Sequence, residues 1–291
     1  MLEKIKNSGY LHEISLILAS FFWGIAFIWT KTAMNQGLTA TQVILVRYTV
    51  SVFMMLPFCI KELKKASKKD WVLGLTGGVF IGGGMLVQTM GLGMTTPSNS
   101  VFITTTYVVM VPFVSWIVEK KKPQTKMYFC ALLALAGLYV LTRVPGEGIV
   151  INAATLLTLL SALLFAFQVV FITYAGQRMN VKLLTFMPVL FTAVLALGIS
   201  VFTGEIHMSS TNMVSSVLNV ACAAFFATIL AGLMQAASQK HVGSAKSAIY
   251  MSLESVFTLI VSVIFGFDAM SLSLIAGGVL IVASIIIAEL K

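Results

Sequence analysis

Ten long runs of apolar residues constrain this 291-residue chain more than any other feature. Each run has roughly 18 to 25 residues, and a helix rising about 1.5 Å per residue would carry it across a hydrocarbon core about 30 Å thick. Only 10% of the residues are charged, too few to cover a soluble protein of this length. The sequence therefore predicts an all-α membrane protein with ten transmembrane helices and short loops. The predicted spans are 11–34, 38–60, 71–93, 97–118, 124–142, 152–175, 180–203, 213–238, 243–265 and 271–290.

The basic residues are sorted by the predicted side of the membrane. With the N-terminus inside, most of the 19 lysines and arginines fall in gaps or at helix ends on that side. The exceptions are Arg143 and Lys31 on the opposite side and Arg47 within a run. The positive-inside rule then predicts cytoplasmic N- and C-termini in a multi-pass protein of the cell (inner) membrane. The lysines are expected to meet membrane lipids with anionic headgroups, so the net charge of +9 does not predict a nucleic-acid partner.

The two halves of the chain align when the sequence is shifted by 147 positions. Gln88 then falls on Gln235, Ser100 falls on Ser247, and five predicted helices match five more. We therefore predict two five-helix repeats, residues 1–147 and 148–291. Five crossings are an odd number, so the second repeat begins on the other side of the membrane and is inverted, as in many secondary transporters.

Short motifs along the whole chain resemble the drug/metabolite transporter superfamily, specifically its EamA-type, ten-helix permeases. The first run is similar to that family's W-G-x-x-F-x-x-x-K pattern. Ser255 stands where the family usually has proline, so the sequence does not predict a kink there. The resemblance implies a ten-helix bundle with a central cavity that moves small organic solutes by alternating access, commonly as an exporter. The matching residues are Trp23-Gly24, Phe27, Lys31, Arg47-Tyr48, Gly91-Leu92, Val111-Pro112-Phe113, Leu253-Glu254 and Val256-Phe257.

Two ionisable residues, Arg47 and Glu254, lie near the middle of apolar runs. A charge at that depth costs at least ~2.5 to 3.5 kcal/mol on insertion scales, so such residues usually face a polar cavity or a partner. Trp23 and Tyr107 lie at similar depth, and Tyr107 is equivalent to Glu254 under the 147-residue shift. We predict that these four residues form a central site that binds a small-molecule solute or couples its transport.

Helical spacing adds neighbours to this site. Residues four apart share a helix face, so Phe27 lies on the face of Trp23, and Tyr250 on that of Glu254. Both are predicted to join the binding or coupling site, with ordinary helix packing as the alternative. The gate or mouth candidates lie nearer to helix ends, and packing is again the alternative reading of the three glutamines. These candidates are Gln88, Gln235, Gln168 and Lys31.

The sequence alone leaves two alternatives for what Arg47 and Glu254 bind. Arg47 and Glu254 could form a buried pair that holds two helices together, which offsets part of the cost of burying each charge. Alternatively, Glu254 takes part directly in solute or proton handling, and proton coupling is a hypothesis on that basis. Arg47 cannot carry the proton because its guanidinium stays charged.

The leading expectation is a secondary transporter rather than an enzyme. The alternatives are a non-transporting receptor or scaffold and an intramembrane enzyme. We predict no catalytic residue, cofactor or metal, because the sequence has no Walker or H-E-x-x-H motif and its three histidines lie near helix ends or in gaps. Gly74, Gly78 and Gly82 form a stripe of small residues that serves either internal packing or a homodimer.

Overall fold

The computed structural model describes residues 10–120, 122, 124–142, 152–269 and 272–289. All regular structure in these ranges is helical, which confirms the predicted fold class. The chain termini, Arg143 and the predicted repeat boundary after residue 147 lie outside them. In chain order the helices are α1 (Leu11–Asn35), α2 (Ala40–Leu63), α3 (Lys68–Gly93), α4 (Pro97–Thr105), α5 (Tyr107–Glu119), α6 (Thr125–Thr142), α7 (Ala153–Gly176), α8 (Val181–Thr203), α9 (Met213–Cys222), the π-helix π1 (Ala223–Leu230), α10 (Ala231–Val242), α11 (Ser244–Met251), α12 (Leu253–Ile264) and α13 (Leu272–Glu289).

These helices make up the ten predicted spans. Eight apolar stretches of the described chain are long enough to cross a membrane, and three of them are composite: α4 with α5, α9 to α10 through π1, and α11 with α12. The other two spans correspond to α6 and α13, which have 18 residues each. Each repeat therefore contributes five spans, and because five is an odd number, we expect equivalent spans of the two repeats to run in opposite directions.

Polar residues in the short connections define where helices begin. Thr39 accepts a hydrogen bond from the Gln42 N–H, and the Gln42 side chain accepts one from the Thr39 N–H, a reciprocal cap at the start of α2. Ser67 and Asp70 form the same arrangement at the start of α3. Such caps matter here because lipid offers no hydrogen-bonding partner to the exposed N–H groups of a helix end.

Two spans are interrupted near their middle, where the sequence predicts single uninterrupted runs. The first break separates α4 from α5 at Thr106, and the second separates α11 from α12 at Ser252. These positions differ by one residue under the 147-residue shift, so the break recurs at nearly the same place in both repeats. Tyr107 and Glu254, the two equivalent central residues, lie in the first turn after each break.

Hydroxyl side chains satisfy backbone carbonyls at both breaks. Thr106 Oγ1 donates to Ile103 O, and Ser252 Oγ donates to Ile249 O, each at 2.6 Å. Ser255, where the family usually has proline, donates its hydroxyl to Ser252 O at 2.7 Å. The second break therefore forms without proline. Apolar patterning alone does not predict it, because serine and threonine are common in continuous membrane helices as well.

Gly24 permits the closest contact between α1 and α12. A Cβ at this position would lie 2.8 Å from Phe257 Cβ, 2.9 Å from Thr258 N and 3.0 Å from Glu254 O. The Thr258 hydroxyl hydrogen-bonds to Gly24 O at 3.3 Å and to Glu254 O at 2.8 Å. The Trp23-Gly24 pair of the family pattern thus places α1 directly against the turn that carries Glu254.

The glycine stripe of α3 packs inside the bundle. Gly74 faces Met187, and Gly78 and Gly82 face Phe191 and Thr192 of the same neighbouring helix, α8. This contact joins the two repeats and uses the stripe for internal packing, one of the two roles predicted for it. A homodimer stays a prediction.

We expect Gly24→Ala to lower the stability of the folded protein by ~1–3 kcal/mol, the usual cost of overpacking a tight contact. The added methyl group meets backbone atoms of α12 that cannot rotate away. Thermal unfolding in detergent measures the loss. Gly198→Ala is the matched control, since a Cβ there has no neighbouring atom within 4 Å. Equal melting temperatures for the two variants would contradict the proposed close packing.

Candidate functional site

A cavity that is partly open to the outside lies between the two repeats. Its lining comes from the composite spans and from α1, α2, α3, α7 and α8. Among the described residues, α6 and α13 contribute nothing to it, and they pack against each other instead. The cavity is therefore central to eight of the ten spans.

Arg47 and Glu254 both line this cavity. Their side chains are mostly buried, with 5% and 8% of their surface exposed. The Arg47 Nε–H donates to Thr228 Oγ1 at 2.7 Å, and no described residue accepts a hydrogen bond from its two terminal nitrogens. The Glu254 carboxylate receives no hydrogen bond from any residue that the structure describes. The terminal guanidinium nitrogens and the carboxylate are thus available to a molecule in the cavity.

The two central charges do not pair with each other. The ion pairs found within the described ranges join Lys182 to Glu62 and Lys246 to Glu13, and neither involves a cavity residue. Both residues nevertheless face the same cavity. In this conformation, the first of the two predicted arrangements, a direct buried pair, is not formed.

Aromatic rings form much of the remaining wall. Trp23 and Phe27 line the cavity from α1, as predicted from their spacing, and Tyr107 lines it from the start of α5. Tyr48 and Phe165 also line it and are not among the predicted site residues. The Trp23 indole is fixed in place because its Nε1–H donates to Ala227 O at 2.9 Å.

Two predicted site residues lie outside the cavity lining. Tyr250 is 3% exposed and packs in the apolar core. The spacing prediction assumes one regular helix through Tyr250 and Glu254, whereas the helix is interrupted between them at Ser252. Lys31 lies at the end of α1, where its Nζ donates to Leu92 O at 3.0 Å and Gly93 O at 3.2 Å. It therefore caps the C-terminal end of α3.

The predicted gate residues Gln168 and Gln235 belong to a buried amide network. Gln168 Nε2 donates to Gln235 Oε1 at 3.1 Å, and Gln235 Nε2 donates to Gln239 Oε1 at 2.9 Å. Gln239, which is not among the predicted gate residues, is fully buried and donates to Val169 O and to Thr173 Oγ1. The network joins α7 to α10 with hydrogen bonds at successive turns.

This network lies between the cavity and one end of the bundle. We call this end the basic end, because the adjoining helix ends and turns carry Arg178, Lys182, Lys240 and Lys246. Gln168 and Gln235 line the cavity, whereas Gln239 lies one turn closer to the basic end. The positions of these glutamines match the predicted gate, while their part in transport stays a prediction.

A related amide contact lies in the other repeat. Gln88 Nε2 donates to Thr104 Oγ1 at 3.2 Å, and Gln235 Nε2 lies 3.5 Å from the Met251 sulfur. The 147-residue shift maps Gln88 onto Gln235 and Thr104 onto Met251. All four residues line the cavity, so its walls retain the internal pseudosymmetry of the bundle.

Comparison with known proteins identifies the class of protein to which this cavity belongs. The model of the EamA-like transporter family matches residues 11–143 and 152–290, one copy in each repeat. The chain belongs to the EamA-like transporter family. This confirms the predicted family, and with the apolar helices it establishes a multi-pass membrane protein of a transporter family.

Two related proteins extend this similarity across the chain. An uncharacterized transporter from Archaeoglobus fulgidus is 30% identical over 279 residues, which cover 96% of this chain and 86% of that protein. A known crystal structure, titled "Crystal structure of protein", has the same fold. The two structures superimpose with a TM-score of 0.75 over 96% of each chain, and their sequences are 16% identical. The EamA fold therefore extends over nearly the entire chain.

We expect a small methanethiosulfonate reagent to modify Thr185→Cys roughly tenfold faster than Thr192→Cys, because thiol reactivity follows exposure to solvent. Both threonines lie on α8, but only Thr185 lines the cavity. The measurement is mass spectrometry of detergent-solubilised protein in which Cys59, Cys130 and Cys222 are replaced by alanine. Similar rates at the two positions would show that the cavity is not accessible to water.

Proposed function

We propose that this EamA-like protein is a secondary transporter that exports a small zwitterionic organic solute from the cytoplasm by alternating access. One observation carries the proposal: Arg47 and Glu254 line one cavity, yet neither uses the other as a partner. Buried charges within a membrane are usually paired or serve a solute or ion pathway. A solute with a carboxylate and an ammonium group supplies both missing partners.

The chemistry of each group supports this assignment. The terminal nitrogens of a guanidinium bind a carboxylate through two parallel hydrogen bonds, a geometry that lysine cannot reproduce. Glu254 offers a carboxylate to an ammonium group, and the rings of Trp23, Phe27 and Tyr107 can pack against an apolar part of the solute.

Competition at Glu254 provides a means of proton coupling. The carboxyl group can hold the solute's ammonium group or a proton, but not both at full affinity. Release of the solute on one side followed by protonation, and the reverse exchange on the other side, constitutes solute–proton antiport. Arg47 stays charged throughout this cycle, so it can bind the solute's carboxylate but cannot carry the proton.

The helix breaks and the amide network support the alternating-access part of the proposal. Opening the basic end requires α7 and α10 to separate, which breaks the hydrogen bonds through Gln235 and Gln239. The breaks at Thr106 and Ser252 allow each half-helix to tilt without disturbing a continuous hydrogen-bond ladder. Both breaks lie beside the central residues, so such a tilt would change access to the same site.

The transport assay uses purified protein in liposomes with an imposed proton gradient and a panel of radiolabelled amino acids. For any amino acid transported, its decarboxylated and deaminated analogues are then tested as competitors. We expect zwitterions to compete best, since each analogue leaves one central charge without a partner. Absence of flux across the whole panel would contradict the proposed substrate class, and deaminated analogues that compete as well as zwitterions would exclude a role for Glu254 in solute binding.

Charge removal gives a second prediction in the same assay. Arg47→Gln should raise KM about 10- to 100-fold, because a hydrogen bond to a charged group contributes ~1.5–3 kcal/mol. Glu254→Gln should abolish the dependence of uptake on the proton gradient. Arg178→Gln and Glu62→Gln are matched controls outside the cavity. Gradient-driven transport by Glu254→Gln would contradict proton coupling through this residue.

A further inference from the structure

The π-helix π1 places an irregular stretch of backbone directly beside the cavity. Its eight residues, Ala223–Leu230, contain no proline or glycine that would explain the change of helix type. The π-helix is rare, and where it occurs within α-helices it is frequently found at functional sites. Ala227 and Thr228 of this stretch line the cavity.

The π-turn frees one backbone carbonyl for a contact with the site. The Ala231 N–H, which in an α-helix would bond to Ala227 O, bonds instead to Phe226 O. Ala227 O consequently accepts its hydrogen bond from Trp23 Nε1 at 2.9 Å. The position of one aromatic wall of the cavity thus depends directly on the π-helical register.

The same register orients the hydroxyl group of Thr228. Thr228 Oγ1 lies 3.4 Å from Ala223 O, five residues earlier, and can donate its proton there. Its lone pairs then accept the hydrogen bond from Arg47 Nε at 2.7 Å. Ser51 adds a second contact between these elements, since its hydroxyl bonds to Arg47 O at 2.8 Å and lies 3.4 Å from Ala224 O. Arg47 is therefore bonded to π1 through its side chain, and Ser51, one turn further along α2, lies within reach of the same element.

This contact determines which edge of the Arg47 guanidinium is available to a carboxylate of the solute. A guanidinium binds a carboxylate either side-on, through Nε and one terminal nitrogen, or end-on, through both terminal nitrogens. With Nε committed to Thr228, the end-on approach is the one left.

We propose that Thr228, presented by the π-helix, is the positioning residue that holds Arg47 for end-on recognition of a solute carboxylate. The inference rests on the proposed function for its carboxylate ligand. The bond between Thr228 and Arg47, however, is independent of any solute. Two measurements can therefore separate a failure of this inference from a failure of the proposed function.

The first measurement needs no solute. The sequence has only three arginines, Arg47, Arg143 and Arg178, so protein labelled with ¹⁵N at arginine Nε gives a spectrum with few signals. The Arg47 signal is identified by its loss in Arg47→Lys. We expect hydrogen exchange of the Arg47 Nε–H to be about tenfold faster in Thr228→Val and nearly unchanged in Thr228→Ser, which keeps the hydroxyl. Unchanged exchange in Thr228→Val would overturn the inference.

The second measurement compares KM with kcat in liposomes, using an amino acid from the panel that the wild-type protein transports. Thr228→Val should raise its KM about tenfold with little change in kcat, and Thr228→Ser should restore the wild-type value. The decarboxylated amine should inhibit wild type and Thr228→Val equally, because it lacks the group that Arg47 binds. Equal weakening of amino acid and amine would indicate a general structural role and overturn the inference.

Thr192→Val is the matched control for both measurements. Its hydroxyl also bonds to a carbonyl of its own helix, Pro188 O at 2.8 Å, but the residue lies outside the cavity lining. It should leave Arg47 exchange and KM at their wild-type values. If no panel compound is transported but the exchange results follow Thr228, the proposed substrate class fails while the Thr228–Arg47 contact stands.

Discussion

The burial of two unpaired charges within a membrane bundle is the constraint on which the rest of this structure depends. A guanidinium or carboxylate in hydrocarbon needs a partner, water or a bound solute to offset its lost hydration. Here the fold keeps Arg47 on α2 and Glu254 on α12 apart and turns both towards one cavity. The cavity offers these charges water or a bound solute in place of their lost hydration. The charges in turn give the cavity groups that can bind a solute selectively.

Irregular backbone is concentrated around that cavity. Backbone outside α-helical geometry is stable at membrane depth only where protein or water satisfies its polar groups. The breaks at Thr106 and Ser252 use hydroxyl groups for this purpose, and π1 uses Trp23. Gly24 then lets α1 approach the second break closely enough to complete the wall. Each departure from regular helix thus positions a cavity residue.

Sequence reasoning predicts the features that depend on long apolar runs and depth. The ten spans, the two-repeat architecture and the central positions of Arg47, Glu254 and Tyr107 all follow from length, spacing and the cost of buried charge. The placement of Tyr250 depends instead on helical phase, which the break at Ser252 changes. Spacing can be read from the sequence only while the helix type stays constant.

Thr228 and Gln239 are two residues whose roles the sequence did not predict. Thr228 contacts Arg47 from within a π-helix, and the residues of Ala223–Leu230 carry no sequence signal for that geometry. Gln239 lies near a helix end, where polar residues are ordinary, and its role in the amide network depends on the tertiary approach of α7 and α10. No local sequence pattern therefore predicts the contact of Thr228 with Arg47 or that of Gln239 with α7.

The most direct test of the separation of the two charges is a double-mutant cycle on stability, measured in detergent without solute. The cycle compares Arg47→Gln, Glu254→Gln and the double variant with wild type. Because the two side chains make no direct ion pair, we expect a coupling energy of ~1 kcal/mol or less. A coupling of about 3 kcal/mol or more, typical of breaking a buried ion pair, would show that the charges stabilise each other and contradict this account.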